Sequence, residues 1–450
     1  MAGKLKTFYV CEECGYRTNK WAGKCPDCES WNSFKEETVA DTPALKNNSA
    51  LFNGSKAKNP ISVNDIEVDK EIRYKTGIGE FDRILGGGLV KGSIILLGGE
   101  PGVGKSTLML QICEALSLNK TILYVSGEES LTQLKLRFNR LNIKTENLNV
   151  LTETDIESII DTVTVKKPDI VIIDSIQTMS LASVNSSAGS VSQVRESTNA
   201  LMHMAKSEDV ATIVIGHVNK DGLIAGPKVL EHIVDAVIYF EGDKNFGFKI
   251  LRAAKNRFGS TNEIGIFEMS DTGLKEIKNP SATLLEGRMA NVSGSCIACA
   301  MEGTRPILVE IQALVSKSSF GQPRRVSVGF DYNRMNLILA VLEKRVGFFF
   351  GNLDVYVNVV GGLRLDEPSA DLPIAMALIS AITDKPIPED TVAFGEIGLS
   401  GEIRSVSAAN TRIKEASRMG FNNIYMPKQE SLKDQDAEIK KIRHIREMKF

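Results

Sequence analysis

One glycine-rich segment, GEPGVGKS, limits what this chain can fold into more than any other stretch. An apolar run at residues 94–97 precedes it, and a segment of helical composition begins at Thr107. Glycines in such a strand–turn–helix context let successive backbone N–H groups point at phosphate oxygens, at the positive end of the helix. The pattern is a P-loop, in which the lysine reaches the β- and γ-phosphates and the serine hydroxyl ligates Mg²⁺. We therefore predict a nucleoside triphosphate site formed by Gly99, Glu100, Pro101, Gly102, Val103, Gly104, Lys105, Ser106 and Thr107.

The size and charge of the chain indicate a soluble protein of several domains. Its 450 residues are too many for one ordinary core, and length alone suggests about two to four domains. A net charge of −2 argues against a polybasic coat, so any nucleic-acid surface must be a local cluster of Lys and Arg. The N-terminus lacks the apolar core of a signal peptide, and no apolar run is long enough to span a membrane. We expect a cytoplasmic protein without a membrane partner.

Two Cys-x-x-Cys pairs, separated by ten residues, lie near the N-terminus. This spacing brings four thiolates into a tetrahedron of the kind that a structural Zn²⁺ occupies. So short and polar a stretch has hardly any core without a metal, which makes four free thiols the weaker alternative. Four aromatic residues, Tyr9, Tyr16, Trp21 and Trp31, either cover the metal or dock on a partner, and we expect them to cover it. The predicted zinc ligands are Cys11, Cys14, Cys25 and Cys28.

Apolar runs that alternate with helical segments predict an α/β domain with a parallel sheet in the middle of the chain. Ligands of such a sheet gather at the carboxyl ends of its strands. Asp174 follows one aliphatic run and is placed to hold the Mg²⁺ shell, as a Walker B carboxylate does. Glu128 follows another run and could deprotonate the attacking water, although the spacing does not separate it from Glu129. His217 ends a further run, either as a γ-phosphate sensor or as a packed residue.

The KNRFG pentapeptide at residues 255–259 carries the sharpest resemblance to a known family. The P-loop, Glu128, the Asp174-Ser175 pair and the strand order resemble the RecA-type ATPase core. With the two cysteine pairs, the pentapeptide makes the chain closely similar to the bacterial RadA (Sms) family of DNA repair proteins, over essentially its whole length. The resemblance implies a hexameric ring ATPase of the DnaB helicase type. Such a motor runs on single-stranded and branched DNA, promotes branch migration, and assists RecA in recombination and the stress response.

The same resemblance implies roles for individual residues. It makes Glu128 the catalytic glutamate and Lys105 the P-loop lysine, and it makes Lys255 and Arg257 fingers that reach a nucleotide bound by the neighbouring subunit. A cation inserted from a neighbour neutralises charge that develops on the transferred phosphoryl group. Read from the residues alone, these two cations would be a solvated basic turn.

Two polar segments suit the DNA-facing loops of such a ring. The first, residues 177–195, is rich in Ser, Ala and Gly and is too polar to be core. The second, residues 218–229, contains Lys220 and Lys228 between glycines. Flexible loops with a few cations can follow a nucleic-acid backbone without reading its bases. Plain surface loops are the alternative interpretation.

The C-terminal part has short strands and amphipathic helices, which predict an α+β fold that resembles the proteolytic domain of Lon. In Lon a Ser–Lys dyad does the chemistry, and Ser369 matches the serine. The lysine position falls on Asn410, whose amide cannot act as a base, and Lys414 is a weak substitute, so we expect an inactive scaffold. The predicted segments are a zinc finger at 1–35, a linker at 36–65, a RecA-like ATPase domain at 66–275, a second linker at 276–288 and a Lon-like domain at 289–450.

Three hypotheses about function follow. The leading one is an ATP-driven motor on single-stranded DNA. A regulatory ATPase of the KaiC type, acting on protein partners, would lack the cysteine pairs and the KNRFG pentapeptide. An ATP-dependent protease would need an activated Ser369. The predicted cofactors are ATP with Mg²⁺ and a structural Zn²⁺, and the predicted partners are DNA, RecA and further copies of this chain.

Overall fold

The computed structural model describes residues 5–11, 16–26, 30–40, 73–145, 147–217, 227–242, 248–318, 323–430 and 437–448. These residues fall into two compact units. The first unit holds the residues up to Gly242 together with Phe248–Thr261 and Phe267–Glu276. The second holds Asn262–Ile266 and the residues from Ile277 onward.

The N-terminal module is a three-stranded antiparallel sheet in the order β2-β1-β3. Its strands are β1 (Leu5–Cys11), β2 (Arg17–Thr18) and β3 (Phe34–Ala40). Because β3 pairs with the whole of β1, from Cys11 opposite Phe34 to Leu5 opposite Ala40, the module extends beyond the predicted boundary at residue 35. The predicted linker at 36–65 is therefore wrong in its first five residues. The stretch 41–72 lies outside the described residues.

The rest of the first unit is built on a nine-stranded sheet in the order β14-β13-β12-β11-β6-β10-β9-β7-β8, beside a short antiparallel pair of β4 with β5. The strands are β4 (Arg73–Tyr74), β5 (Leu89–Val90), β6 (Ile94–Gly99), β7 (Ile122–Ser126), β8 (Leu148–Thr152), β9 (Ile170–Asp174), β10 (Ala211–His217), β11 (Ala236–Gly242), β12 (Phe248–Asn256), β13 (Ile264–Ser270) and β14 (Gly273–Glu276). The helices are α1 (Gly79–Ile84), α2 (Lys105–Leu116), α3 (Leu131–Arg140), α4 (Ile156–Lys166), α5 (Val191–Glu208) and α6 (Pro227–Glu231).

The six strands from β11 to β8 in this order are parallel, as the alternating pattern predicts. Every residue of β6, β7 and β9 is buried, because apolar clusters cover both faces of the sheet. The predicted α/β class with a parallel sheet is confirmed. Beyond the prediction, β12, β13 and β14 extend the sheet next to β11, and β12 is antiparallel to it.

The second unit contains a mixed seven-stranded sheet in the order β17-β18-β16-β15-β19-β22-β23, and a small pair of β20 with β21. Its strands are β15 (Ser295–Glu302), β16 (Arg305–Lys317), β17 (Arg325–Val328), β18 (Leu353–Val359), β19 (Thr391–Ala393), β20 (Glu396–Ile397), β21 (Ile403–Arg404), β22 (Asn423–Pro427) and β23 (Glu438–Ile442). Its helices are α7 (Pro280–Leu284), α8 (Tyr332–Val341), α9 (Asp371–Thr383) and α10 (Ala409–Arg418). This is the predicted α+β arrangement, with the apolar α9 buried against β15 and β16.

The segment 276–288, predicted as a linker, contains helix α7 and belongs to the second unit. The Ser281 hydroxyl donates to Glu415 Oε1 at 2.6 Å and accepts from the Leu308 amide at 3.1 Å. These buried contacts replace the open connection that the Asn-Pro boundary suggested. In the described part of the chain, no helix is both long enough and apolar enough to cross a membrane.

Candidate active site

Four neighbouring strands of the parallel sheet end at one edge, and each brings one predicted residue there. Strand β6 ends at Gly99 and runs into the P-loop, β9 ends at Asp174, and β10 ends at His217. Glu128 follows β7 by two residues. The sheet order β6-β10-β9-β7 places these ends side by side. The strand-end rule therefore brought together the residues that the sequence could only list.

The P-loop leads directly into helix α2, which begins at Lys105. Gly104 precedes the helix with a φ of 121°, a conformation that residues with a side chain rarely adopt. At Gly99 a Cβ atom would lie 2.6 Å from the Phe240 carbonyl oxygen, so a larger residue would displace the backbone. The glycines thus serve the geometry of the turn. The Ser106 hydroxyl and the Asp174 carboxylate are hard oxygen ligands of the kind that Mg²⁺ takes alongside phosphate, so these residues fit a magnesium nucleotide.

Lys105 is buried at the centre of this site. Its ammonium donates to the carbonyl oxygens of Gly99 at 2.7 Å and Glu100 at 3.0 Å, and to His217 Nδ1 at 3.2 Å. Burial lowers the pKa of Lys105 to about 8, while the charges of Asp174 and Glu128 partly oppose this shift. A cation so weakly compensated is suited to bind the phosphates of a nucleotide.

The structure separates Glu128 from Glu129, which the sequence left open. Glu128 faces the P-loop side: its Oε1 accepts from the Ser175 hydroxyl at 2.5 Å and lies 3.2 Å from His217 Nε2. Glu129 turns away and pairs with Arg137 at 2.5 Å. Glu128 is also 44% exposed, so water can reach its carboxylate. Only Glu128 is therefore placed to accept a proton in this site.

His217 joins the P-loop lysine to this glutamate. Since Lys105 donates to Nδ1, the neutral imidazole carries its proton on Nε2 and donates it to Glu128. The Gln177 side chain donates to the His217 carbonyl oxygen at 3.3 Å. Of the two interpretations of His217, the structure favours a role in the site. Ser175 and Gln177 had no role in the sequence-based site, although Ser175 directly follows Asp174.

A further residue that the sequence did not indicate is Tyr124, in the middle of β7. Its hydroxyl donates to Asp174 Oδ2 at 2.5 Å, and its ring is completely buried. Nothing in the apolar run around Tyr124 distinguishes it from an ordinary core residue. The contact depends on the pairing of β7 with β9, which only the fold defines.

The predicted finger residues lie at the opposite edge of the sheet. Arg257 Nη1 pairs with Asp235 Oδ1 at 3.0 Å, and Asp235 Oδ2 accepts from the Ile94 amide at 3.1 Å. Ile94 is the first residue of β6 and Gly99 the last, so about 16 Å of strand separates Asp235 from the P-loop. Lys255 donates to the carbonyl oxygens of Glu231 and of Val234, the latter at 2.8 Å. Neither cation contacts the P-loop of its own subunit.

The other residues of the KNRFG pentapeptide fix the turn that carries these cations. The Asn256 amide donates to the Ile84 carbonyl oxygen at 2.9 Å, and its Oδ1 accepts from the Phe258 amide at 2.8 Å. Arg73 donates to the Phe258 carbonyl oxygen at 2.8 Å. A Cβ at Gly259 would lie 2.9 Å from the Gly86 Cα, so the two backbones pack without room for a side chain. The pentapeptide is thus a rigid mount as well as a source of charge.

The first predicted DNA loop, residues 177–195, is more structured than a polar loop. Helix α5 begins at Val191 within it, and Leu181 and Gln193 are buried. The Gln193 amide donates to the carbonyl oxygens of Leu181, Val184 and Ser186 and thereby holds the segment to the helix. The expectation that the segment is too polar for the core is wrong at these positions. Most of the second predicted loop, residues 218–226, lies outside the described residues.

Two of the four predicted zinc ligands, Cys11 and Cys25, can be located, and both are completely buried. The other two, Cys14 and Cys28, lie outside the described residues. Buried thiols in so small a sheet fit a metal-held module better than an apolar core. The expectation that aromatic residues cover the site is wrong for the tryptophans, because Trp21 is 57% and Trp31 is 73% exposed.

Ser369, the serine of the Lon-like pattern, is buried beside a guanidinium group. Arg412 Nη1 donates to its hydroxyl at 3.2 Å, and the same side chain forms a two-point ion pair with Glu367 at 2.9 and 2.7 Å. Asn410 and Lys414 are exposed on α10. Because an arginine keeps its proton in proteins, Arg412 cannot act as a base for this serine. Burial also holds two cysteines of this unit as packed thiols, and it raises the pKa of Cys296 and of Cys299 to about 12.

Family models match three parts of the chain. A model described as an AAA domain matches residues 64–223, and a rubredoxin metal binding domain matches residues 9–36. A third model, subunit ChlI of Mg-chelatase, matches residues 327–430. The first two matches agree with an ATPase domain and a metal-binding module in this order.

Two solved structures are similar to part of the chain. The KaiC-like protein PH0186 from Pyrococcus horikoshii covers 46% of this chain and 98% of its own, with 21% identity and a TM-score of 0.39. The second is an isolated ATPase domain, which covers 45% of this chain and 91% of its own, with 17% identity and a TM-score of 0.39. These scores are too low to support an argument from shared structure.

Relatives of nearly full length are much closer. The DNA repair protein RadA of Bacillus subtilis is 51% identical over 425 residues, which cover 94% of this chain and 93% of that protein. The RadA proteins of Listeria monocytogenes and Streptococcus pyogenes are 50% and 48% identical, with the same coverage of both chains. With the P-loop, the cysteine pairs and the KNRFG turn in place, the chain belongs to the RadA family of DNA repair proteins.

Proposed function

We propose that this chain is an ATP-driven motor that moves on single-stranded DNA, migrates the branches of recombination intermediates and works with RecA in DNA repair. The observation that carries the proposal is the position of Lys255 and Arg257. They lie at the edge of the parallel sheet opposite the P-loop of their own subunit. Such cations can serve a nucleotide only across a subunit boundary, which ties hydrolysis to assembly.

In this mechanism the P-loop amides and Lys105 bind the phosphates of ATP. Glu128 accepts a proton from the attacking water, and Ser175 and His217 hold its carboxylate in place. Ser106 and Asp174 would hold Mg²⁺, which supplies charge neutralisation at the phosphates when bound. Arg257 and Lys255 of the neighbouring subunit complete the positive charge around the transferred phosphoryl group. A closed homo-oligomeric ring, expected to be hexameric, gives every P-loop such a neighbour.

The step from ATPase to DNA motor depends on the relatives, which carry the name DNA repair protein. The net charge of −2 requires that DNA binding be local, and the loops at the carboxyl edge of the sheet are the proposed contacts. We place the protein in the cytoplasm, with Zn²⁺ held by Cys11, Cys14, Cys25 and Cys28 as a structural ion. Ser369 serves as part of a scaffold, because its neighbouring cation cannot accept a proton.

The first test measures ATP hydrolysis with and without single-stranded DNA, at several salt concentrations. We expect stimulation by DNA that weakens steeply as salt rises, and loss of hydrolysis in Lys105→Ala. Lys91→Ala is the matched control, since Lys91 forms a surface ion pair with Asp209 in the same unit. Equal rates with and without DNA, together with no effect on a three-stranded DNA junction, would overturn the motor.

A second test asks whether the fingers act between subunits. Lys105→Ala lacks a working P-loop but keeps its fingers, whereas Arg257→Ala keeps the P-loop. Each variant alone should hydrolyse ATP poorly. After the subunits are exchanged in equal amounts, about a quarter of the interfaces in a ring join an intact P-loop to an intact finger. Recovery of activity on mixing supports action in trans, and its absence in verified mixed rings contradicts it.

A further inference from the structure

Asp174 stands at the end of β9 with its two carboxylate oxygens in different surroundings. Oδ2 accepts the hydroxyl proton of Tyr124 at 2.5 Å. Among the described residues no side chain donates to Oδ1, although the residue is nearly buried. One oxygen is therefore fixed by the protein, and the other is left for the water or metal of the nucleotide site.

The strand register explains how a core tyrosine reaches this position. Asp174 lies opposite Ser126 in the pairing of β9 with β7, and Tyr124 lies two residues before Ser126. Residues two apart on a strand point to the same face of the sheet. That face is the one covered by α2, because Tyr124 belongs to the same apolar cluster as Leu108 and Ile112. Tyr124 therefore spans from the core beneath α2 to the carboxylate that faces the start of that helix.

From this geometry we infer that Tyr124 is a positioning residue, which orients the Asp174 carboxylate so that its free oxygen faces the Mg²⁺ of the bound nucleotide. The inference rests on the proposed role of Asp174 in holding that ion. Tyr124 touches neither nucleotide nor metal in this arrangement and acts only through Asp174.

The chemistry of the tyrosine suits this task. Burial, together with the nearby charge of Asp174, raises the pKa of the Tyr124 hydroxyl well above its usual value. The hydroxyl consequently keeps its proton and remains a donor over the whole working range of pH. The ring fills the space between β7 and α2, so the orientation of the hydroxyl is set by packing. A carboxylate held by such a donor loses little freedom when it binds a cation.

Tyr124→Phe is the decisive variant, because it removes one hydroxyl and keeps the ring in the core. The measurement is the affinity for a fluorescent ATP analogue, taken in Mg²⁺ and again in EDTA. We expect the gain in affinity that Mg²⁺ provides to fall about tenfold, since a hydrogen bond to a charged group is lost. Affinity in EDTA should stay unchanged. Equal losses in Mg²⁺ and in EDTA, or no loss in either, would overturn the inference.

Two further variants separate the causes. Tyr74→Phe removes a hydroxyl from another buried tyrosine of the same unit, whose ring lies under Lys120, and should leave the Mg²⁺ dependence intact. Asp174→Asn should itself reduce the Mg²⁺ dependence, and adding Tyr124→Phe to it should cause no further loss. If Asp174→Asn binds Mg²⁺–nucleotide normally, the proposed role of Asp174 fails. If it is defective while Tyr124→Phe is normal, only the role of Tyr124 fails.

Discussion

The nucleotide site of the first unit and the Ser369 site of the second both place a cation beside a potential catalytic group, but they treat that cation differently. Lys105 is buried among backbone carbonyls and His217, and its pKa is lowered to about 8. Arg412 is completely buried, and its donors are taken up by Glu367, Ser369 and the carbonyl oxygens of Cys299 and Ser407. One cation is ready to take a ligand, whereas the other already has its partners inside the protein.

This difference separates a site for chemistry from one that stabilises a fold. In the first unit, Glu128 is 44% exposed and shares one oxygen between Ser175 and His217. In the second, Glu367 receives two bonds from Arg412 and a third from the Met301 amide. Saturated buried networks fix one conformation, and perturbed, partly open groups are typical of functional sites. Resemblance to a catalytic pattern alone does not distinguish the two cases.

The largest effect that would test this comparison concerns Arg412. Arg412→Met leaves Glu367 without its cation, and we expect the free energy of unfolding to fall by about 3 kcal/mol. Urea unfolding followed by circular dichroism measures this loss. The double variant Arg412→Met with Glu367→Gln should recover at least part of it, because no unpaired charge remains. A single variant as stable as the parent would show that the ion pair is not structural.

The next effect concerns the two adjacent glutamates. Glu128→Gln should lower kcat for ATP hydrolysis about a hundredfold while the affinity for ATP is retained, because a base is removed and the shape is kept. Glu129→Gln is the matched control and should change kcat little, since Glu129 pairs with Arg137 outside the site. Steady-state kinetics and nucleotide binding measure the two quantities. A greater loss in Glu129→Gln would reverse the assignment.

A smaller effect follows from the lowered pKa of Lys105. Above a pH of about 8 the free site holds a neutral amine, whereas bound phosphates favour the charged form, so binding then takes up a proton. Nucleotide affinity should therefore fall as pH rises, by about threefold between roughly pH 7.5 and 8.5. Lys105→Arg stays charged and should show a flatter profile, whatever its absolute affinity. Parallel profiles for the two proteins would contradict the lowered pKa.

The smallest effect is expected at Ser369. Ser369→Ala removes one of several acceptors of Arg412, so the free energy of unfolding should change by only about 0.5 kcal/mol. ATP hydrolysis should remain at the level of the parent protein. Casein degradation by the parent that disappears in this variant would instead establish a protease and would break the comparison at its second member.

Much of the nucleotide site could be predicted because its residues follow local rules. The P-loop pattern, the aliphatic run before Asp174 and the run before Glu128 each mark a strand end, and all three strands are present with nearly the predicted bounds. The linker at 276–288 was mispredicted because an Asn-Pro pair signals a break whether or not a packed helix follows. The end of the zinc finger was misplaced because the pairing of β3 with β1 is not visible in a polar strand.

The sequence by itself determined the class of this protein: a P-loop ATPase between a cysteine-rich module and a Lon-like domain. These features depend on spacing along the chain, which periodicity and motifs record directly. Only the tertiary structure decided that Glu128 rather than Glu129 faces the site, that Tyr124 holds Asp174, and that Arg412 occupies Ser369. Each of these choices depends on strand register or helix packing between residues far apart in the chain, and such contacts leave no local pattern in the sequence.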